Sequence, residues 1–277
     1  MSLLHAVLLG LVQGVAEFLP VSSSGHLAIA EHLLGVSGAA EIPEFFDVLL
    51  HLGTLLAVFA AYWSDIRDMV MEFFSGCRDL ARRTIPVPVP PARRMILLII
   101  VGTLPLAAVL PIKDLVEGLA DNMYFVGAAL LFTGCLLFAS DRVKRGRKSE
   151  RSATLLDVFL VGVAQAIATC PGISRSGTTI TAGCFVGFER KFAVRYSFLM
   201  SIPAILGANI LSIGDAMETL VVGEIPVYLA GVAVSAIVGY ACIRLLKMIA
   251  DKGRFGAFAY YCWIVGAATI LMTVLQK

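Results

Sequence analysis

The sequence predicts an all-α integral membrane protein with six transmembrane helices plus two re-entrant helix–loop–helix hairpins. They form an inverted-topology repeat within one polytopic domain, residues 1–277. Three observations predict this. The composition is displaced toward lipid, and eight apolar stretches are long enough to enter a bilayer, two of them broken by polar residues. The two broken stretches also share residues in register, while basic residues assign them to opposite faces.

Hydrophobic residues fill 58% of the 277 positions and charged residues 15%, with a mean hydropathy of +0.87. A soluble domain carries about 45–50% apolar and about 25% charged residues. The net charge of +2 is too small for a nucleic-acid footprint. Cys77, Cys135, Cys170, Cys184, Cys242 and Cys262 form no CxxC pair and read as buried free thiols. No Lys or Arg precedes Arg67. A secretory leader needs a basic n-region, so the N-terminus is expected to be mature structure.

Taken in chain order, Leu3–Leu34 is apolar but interrupted by Pro, Gly and Ser and carries a carboxylate, so it reads as a hairpin. Backbone left unpaired in hydrocarbon costs several kcal/mol per group, so such a break must be buried in protein or line a wet cavity. Phe46–Trp63, Met95–Pro111 and Met123–Ser140 read as spans. Leu155–Phe188 is the second broken stretch, and Ala193–Ile213, Val227–Leu246 and Ala257–Leu275 complete the spans. The halves are approximately 1–140 and 154–277.

Basic residues fix the orientation. Segment 64–94 holds Arg67, Arg78, Arg82, Arg83, Arg93 and Arg94; segment 141–151 holds Arg142, Lys144, Arg145, Arg147, Lys148 and Arg151; segment 244–254 holds Arg244, Lys247, Lys252 and Arg254. Segments 35–47 and 214–226 hold none, and 112–121 holds only Lys113. The positive-inside rule makes the three basic segments cytoplasmic and both termini external. Segment 80–94, with Pro86, Pro88, Pro90 and Pro91, reads as a cytoplasmic loop extended near its prolines. The first hairpin then enters from outside and the second from inside.

An offset of 152 aligns Gly10–Gly25 with Gly162–Gly177. It pairs Gly10 with Gly162, Gln13 with Gln165, Ala16 with Ala168, Ser22 with Ser174, Ser24 with Ser176 and Gly25 with Gly177. Inverted repeats around broken helices are a transporter architecture, with the site where the breaks meet. The fold therefore admits transport or catalysis, and the chemistry at the breaks must decide.

The first break carries Gln13 and Glu17, four apart on one helix face, then Pro20, Ser22, Ser23, Ser24, Gly25 and His26, with the next helix read as Leu27–Leu34. A helix N-terminus preceded by Ser and Gly suits an anion. Glu17 in this setting must be paired, solvated or protonated. With Ser23 and His26 it supplies a nucleophile, a base and an orienting acid, although a structural hydrogen bond closing the loop is an open alternative. The second break, Pro171 to Thr179, includes Gly172, Gly177 and Arg175, and Arg175 sits opposite Ser23 in the alignment. Its planar fork matches a phosphate, and Ser174, Ser176, Thr178 and Thr179 supply neutral donors around it. A salt bridge from Arg175 to Glu17 is the alternative, and the two can coexist before substrate binds. An anion transporter would need the clamp but not the Glu–Ser–His set. His51 reads equally as cavity-facing or packed. His5, His32, Glu31 and Asp157 read as peripheral, Glu189–Lys191 as a solvated turn, and Arg195 as able to snorkel.

At these residues the chain closely resembles the undecaprenyl-diphosphate phosphatase family of bacitracin-resistance type. The (E/Q)-x-x-x-E segment leading into F-L-P-V-S-S-S-G-H, Gln13 to His26, carries one motif, and P-G-x-S-R-S-x-x-T, Pro171 to Thr179, the other. Gln13 stands where many members of the family have Glu. The resemblance implies hydrolysis of undecaprenyl diphosphate to the monophosphate and inorganic phosphate, serving peptidoglycan synthesis and bacitracin resistance. It implies a site open to the outer face of the bacterial plasma membrane and a divalent cation, Mg²⁺ or Ca²⁺, for which the sequence offers Glu17 and substrate oxygens. Membrane lipid is an expected partner, nucleic acid is not, and a homodimer is left open.

The expected roles are catalysis for Ser23, His26 and Glu17, phosphate binding for Arg175, Ser174, Ser176, Thr179, Ser22 and Ser24, and support from Gln13, Gly25, Gly172 and Gly177. Attack by a water directed by Glu17, and lipid flipping in place of hydrolysis, are alternatives. Ser24-Gly25-His26 also resembles part of the histidine-nucleophile acid phosphatase signature, but the second His and the basic first motif of those enzymes are missing.

Overall fold

The computed structural model describes residues 1–33, 44–84, 86–218, 220–252 and 255–276. Leu34, Arg254 and most of segment 35–47, which figure in the sequence reading, lie outside them. The described helices are α1 (Leu3–Phe18), α2 (Ser23–Leu33), α3 (Glu44–Ala61), α4 (Trp63–Arg82), α5 (Pro91–Thr103), α6 (Lys113–Glu117), α7 (Met123–Ser140), α8 (Leu155–Ile167), α9 (Arg175–Phe185), α10 (Arg190–Glu218), α11 (Ile225–Lys252) and α12 (Gly256–Leu275).

Six helical stretches are long and apolar enough to cross a bilayer: Glu44–Ala61, Pro91–Asp121, Met123–Ser140, Arg190–Gly214, Val222–Ala250 and Gly256–Leu275. Each contains most or all of one expected span, and α7 has the expected bounds. Its start is set by Asn122, whose side chain accepts from the Tyr124 and Phe125 amides at 3.1 and 3.2 Å.

Two elements differ from expectation. Met95–Pro111 is not one helix. Pro91 starts α5 at N1, where its missing N–H costs nothing, and 3-10 turns run from Leu104 to Ile112, with Pro105 and Pro111 in their first positions. Each of these prolines lacks the N–H that an α-helix would use there. The other difference is α4, in a segment read only as basic and cytoplasmic. Its apolar residues Ile66, Val70, Phe73, Phe74 and Leu80 recur at helical spacing, and only Ile66 is buried. Of the cysteines, Cys184, Cys242 and Cys262 are buried free thiols, whereas Cys77 and Cys135 are exposed.

The three basic segments are tied together. Arg93 pairs with Glu72 and Asp79. Arg94 donates to the carbonyls of Glu150 and Ala153 at 2.7 and 2.8 Å, and Lys247 donates to that of Ala61 at 2.9 Å. Arg195 pairs with Asp65, so it is held in an ion pair. Arg190 pairs with Asp141, whose carboxylate accepts from the Phe255 and Gly256 amides and so caps α12. Asp157 closes a capping box with Thr154 at the start of α8.

The core lies among α1, α5, α8, α10 and α11, with Phe18 edge-on to Phe198 at 5.5 Å between ring centroids. α1 crosses α11 where Gly10 meets Gly231, and α8 crosses α5 where Gly162 meets Gly102.

Both broken stretches are interrupted where expected, and their second helices begin earlier than the loops suggested. Leu19 is extended because it precedes Pro20, Ser22 takes a positive φ of 75°, and α2 starts at Ser23. In the second break Gly172 has φ +87°, and an added Cβ would lie 2.7 Å from both the Val126 carbonyl and the Ala129 Cβ of α7. Thr133 on α7 staples this turn, donating to the Gly172 carbonyl at 3.2 Å and accepting from the Ser174 amide at 3.1 Å. The two breaks touch: a Cβ on Gly25 would sit 2.9 Å from the Gly172 Cα. With backbone on both sides neither can give way, so Gly25→Ala should cost about 1–3 kcal/mol, as overpacking does. A lower thermal-unfolding midpoint in detergent checks this; an unchanged midpoint would mean that the breaks are not in contact.

Candidate functional site

The contact between the breaks brings the first turns of α2 and α9 together. Each turn is capped in the same way. The Ser22 Oγ accepts from the Gly25 amide at 3.3 Å, and the Ser174 Oγ accepts from the Gly177 amide at 3.1 Å. The next amides, of His26 and Thr178, bond the carbonyls of Ser22 and Ser174. No described hydrogen bond takes up the amides of Ser23, Ser24, Arg175 and Ser176, the unsatisfied donors of a helix start. Two such starts side by side form a place for an anion.

Glu17, at the C-terminal end of α1, is the hub. Its Oε2 accepts from the Ser23 Oγ at 2.6 Å and from the Gln13 Nε2 at 3.2 Å. Its Oε1 pairs with the Arg175 guanidinium. The Glu17 side chain is 3% exposed and that of Arg175 22%, so a nearly buried carboxylate is compensated by a cation that still reaches open space. The salt bridge considered from the sequence is thus present, between residues 158 apart.

A cavity of about 640 Å³ opens over this pair. Glu17, Ser22, Ser23, Ser24, Ser174 and Arg175 line it, together with His51, Gln165 and Lys113. Apolar residues such as Leu106, Val109, Leu110, Ile205 and Leu211 form much of the remaining wall. Charged and polar groups set among apolar wall residues suit a ligand with a polar head and a hydrocarbon body.

Three expected site residues lie elsewhere. His26 is absent from the lining and does not meet Ser23. Its Nδ1 donates to the Ser22 carbonyl at 2.7 Å, and its Nε2 faces the Tyr261 hydroxyl of α12 at 2.8 Å, with the rings stacked. Both ring nitrogens are therefore engaged. Thr179 is buried and bonds the Arg175 carbonyl at 2.8 Å and the Ser197 hydroxyl at 2.6 Å, joining α9 to α10. The Ser176 Oγ points to the Ser174 Oγ and the Leu19 carbonyl. These three brace the turns; of the serines in the two breaks, Ser22, Ser23, Ser24 and Ser174 line the cavity. Gly25, Gly172 and Gly177 sit in the contact between the breaks.

The described residues form no cage for a resident metal. Among the described residues no group of three or more His, Cys, Asp or Glu is placed to hold one, and both Glu17 oxygens are already occupied by protein donors.

Fold and site together define a class: a multi-pass helical membrane protein in which two broken helices bring a carboxylate, a serine and an arginine to one cavity. The chain belongs to the family described as bacitracin resistance protein BacA, whose model matches residues 6–268. It is similar to proteins named undecaprenyl-diphosphatase. That of Syntrophotalea carbinolica is 42% identical over 267 residues, covering 96% of this chain and 97% of the relative. That of Methanosphaera stadtmanae is 40% identical over 283 residues, covering 99% of each. That of Alkaliphilus metalliredigens is 40% identical over 282 residues, covering 99% of this chain and all of the relative.

Proposed function

We propose that this protein hydrolyses undecaprenyl diphosphate to undecaprenyl phosphate and inorganic phosphate in the bacterial plasma membrane, recycling the lipid carrier of cell-wall synthesis and conferring bacitracin resistance. The observation that carries the reading is the 2.6 Å hydrogen bond from the Ser23 Oγ to Glu17, beside Arg175. The terminal phosphate draws Arg175 away from Glu17 and lies across the first turns of α2 and α9. Glu17, freed of its counter-ion, takes the Ser23 proton while Oγ attacks phosphorus. The bond to the bridging oxygen breaks, and its electron pair leaves on the lipid monophosphate. His26 acts as a positioning residue that ties the Ser22 turn to α12.

The same reading treats the broken stretches as re-entrant hairpins of an inverted repeat. Support comes from their length and symmetry. α1 has 16 residues and α8 has 13, so at about 1.5 Å per residue neither covers the roughly 30 Å hydrocarbon core. α2 and α9 both have 11 residues, and their starts at Ser23 and Arg175 are 152 apart. α1 packs on α11 and α8 on α5, so the first helix of each broken stretch meets the middle span of the other half. The ties among the basic segments support one cytoplasmic end, with both termini and the cavity mouth outside. Glu17, Glu31, Glu44, Asp47 and Glu117 line the cavity against Arg175 and Lys113, an excess of acid that favours an anion arriving with its own Mg²⁺ or Ca²⁺. No step requires a second copy of the chain.

The test is phosphate release from undecaprenyl or farnesyl diphosphate by purified protein in detergent, with and without chelator. Hydrolysis needs no sealed compartments, whereas flipping does. Glu17→Gln keeps the shape of the site but removes the base and should lower kcat by about 10²–10⁴-fold. A variant with normal kcat would remove Glu17 from proton transfer.

A further inference from the structure

His51 is a titratable side chain in the cavity that the first chemical step does not use. Its neighbours fix its tautomer. The Nδ1 lies 3.0 Å from the main-chain carbonyl of Asp47, one turn back on α3. A carbonyl only accepts, so the neutral ring carries its proton on Nδ1 and leaves Nε2 bare. No described residue bonds Nε2. The Asp47 carboxylate, 3.5 Å from Nδ1, adds a negative charge behind the ring. Glu44, Asp47, Val48 and His51 all line the cavity, a spacing that places them on one face of α3. His51 is the last of them along the helix and lines the same cavity as Glu17 and Arg175. The contrast with His26 is direct, since that ring has both nitrogens engaged and is absent from the cavity lining.

We infer that His51 is the general base of the second chemical step, the hydrolysis of the phosphate ester on Ser23. The inference rests on the serine-nucleophile reading above. A water in the cavity attacks phosphorus, forming the new P–O bond, and its proton passes to Nε2 of His51. The bond from phosphorus to the Ser23 Oγ breaks, and Oγ recovers the proton held by Glu17. The imidazolium, stabilised by the Asp47 carboxylate, then returns its proton to water at the cavity mouth. Diphosphate and water are consumed; lipid monophosphate and inorganic phosphate are released. A separate base is needed here because Glu17 is already protonated when the ester must be cleaved.

The test is a rapid-quench experiment on His51→Ala and His51→Gln, using farnesyl diphosphate radiolabelled in the terminal phosphate. Both variants should release a burst of farnesyl phosphate stoichiometric with enzyme and retain label on Ser23. Steady-state phosphate release should fall by about 10²-fold or more and rise again for His51→Ala on addition of imidazole. Wild-type turnover in either variant overturns the inference, as does loss of turnover without labelled enzyme or imidazole rescue, which marks a structural role. His51→Gln separates misfolding from chemistry, because its side chain keeps polarity and bulk at the site. Ser23→Ala serves as the control for the underlying reading: if it turns over normally, the serine-ester step itself has failed, whatever His51 does.

Discussion

Ser23→Ala should lower phosphate release by about 10⁴-fold or more, the scale seen when a serine nucleophile is removed. Its Oγ is the only hydroxyl described as bonded to the Glu17 carboxylate. The adjacent hydroxyls do not substitute for it. Ser22 Oγ accepts from the Gly25 amide as the cap of α2, and Ser24 Oγ lies 3.4 Å from Ser22 rather than beside Glu17. The methyl group of alanine leaves the backbone of α2 unchanged, so substrate affinity should fall far less than kcat. The check is kcat and KM on one detergent preparation, with a thermal midpoint close to wild type.

Arg175→Ala has the second largest effect, and it acts on two quantities at once. Removing a guanidinium that meets transferring phosphate costs about 10³–10⁵-fold in comparable sites, and here kcat/KM should fall by that order. The substitution also leaves Glu17 buried without its counter-charge. Breaking a buried ion pair on one side costs about 3–5 kcal/mol, so the thermal midpoint should drop as well. The two effects separate in the double variant Glu17→Gln/Arg175→Ala. Stability should recover, because no unpaired charge remains, while activity stays lost. Arg175→Lys should also fail, since a point charge cannot reproduce the planar fork. A double variant as unstable as Arg175→Ala would show that the ion pair is not what holds the site together.

Much of the architecture was legible because lipid simplifies the code. Spans must be apolar and about 20 residues long, so their composition located all six, and Met123–Ser140 was located to the residue. The breaks were legible because Glu17, Arg175 and the Ser–Gly runs are costly in an apolar stretch unless they have partners there. α4 was passed over because its charges masked the apolar spacing from Ile66 to Leu80. The early end of α5 was signalled by Pro105, whose effect on a helix outweighs the apolar run around it.

The finer geometry of the site depended on long-range packing that no local pattern encodes. His26 looked like the base because it stands three residues from Ser23. In the first turn of α2, however, its ring is turned to Tyr261, 235 residues away in the chain. Thr133 could not be singled out in an apolar helix, although it braces the Gly172 turn. His51 was ambiguous because a histidine within a span has no local signature that separates packing from cavity. Its place was decided by where α3 meets the breaks. The Glu17–Arg175 pair was legible only as the alternative to a phosphate clamp, because a buried carboxylate and a buried guanidinium each need an opposite charge.

The central claim is that Ser23, and not a water, attacks the phosphorus. It is tested most directly by quenching the wild-type enzyme during turnover of a diphosphate radiolabelled in its terminal phosphate and mapping any label by peptide mass analysis. The account predicts a phosphoserine on the peptide that contains Ser23, absent from Ser23→Ala. An active wild-type enzyme that carries no label at any quench time, together with Ser23→Ala that still releases phosphate, would contradict it and assign the attack to a water held by Glu17.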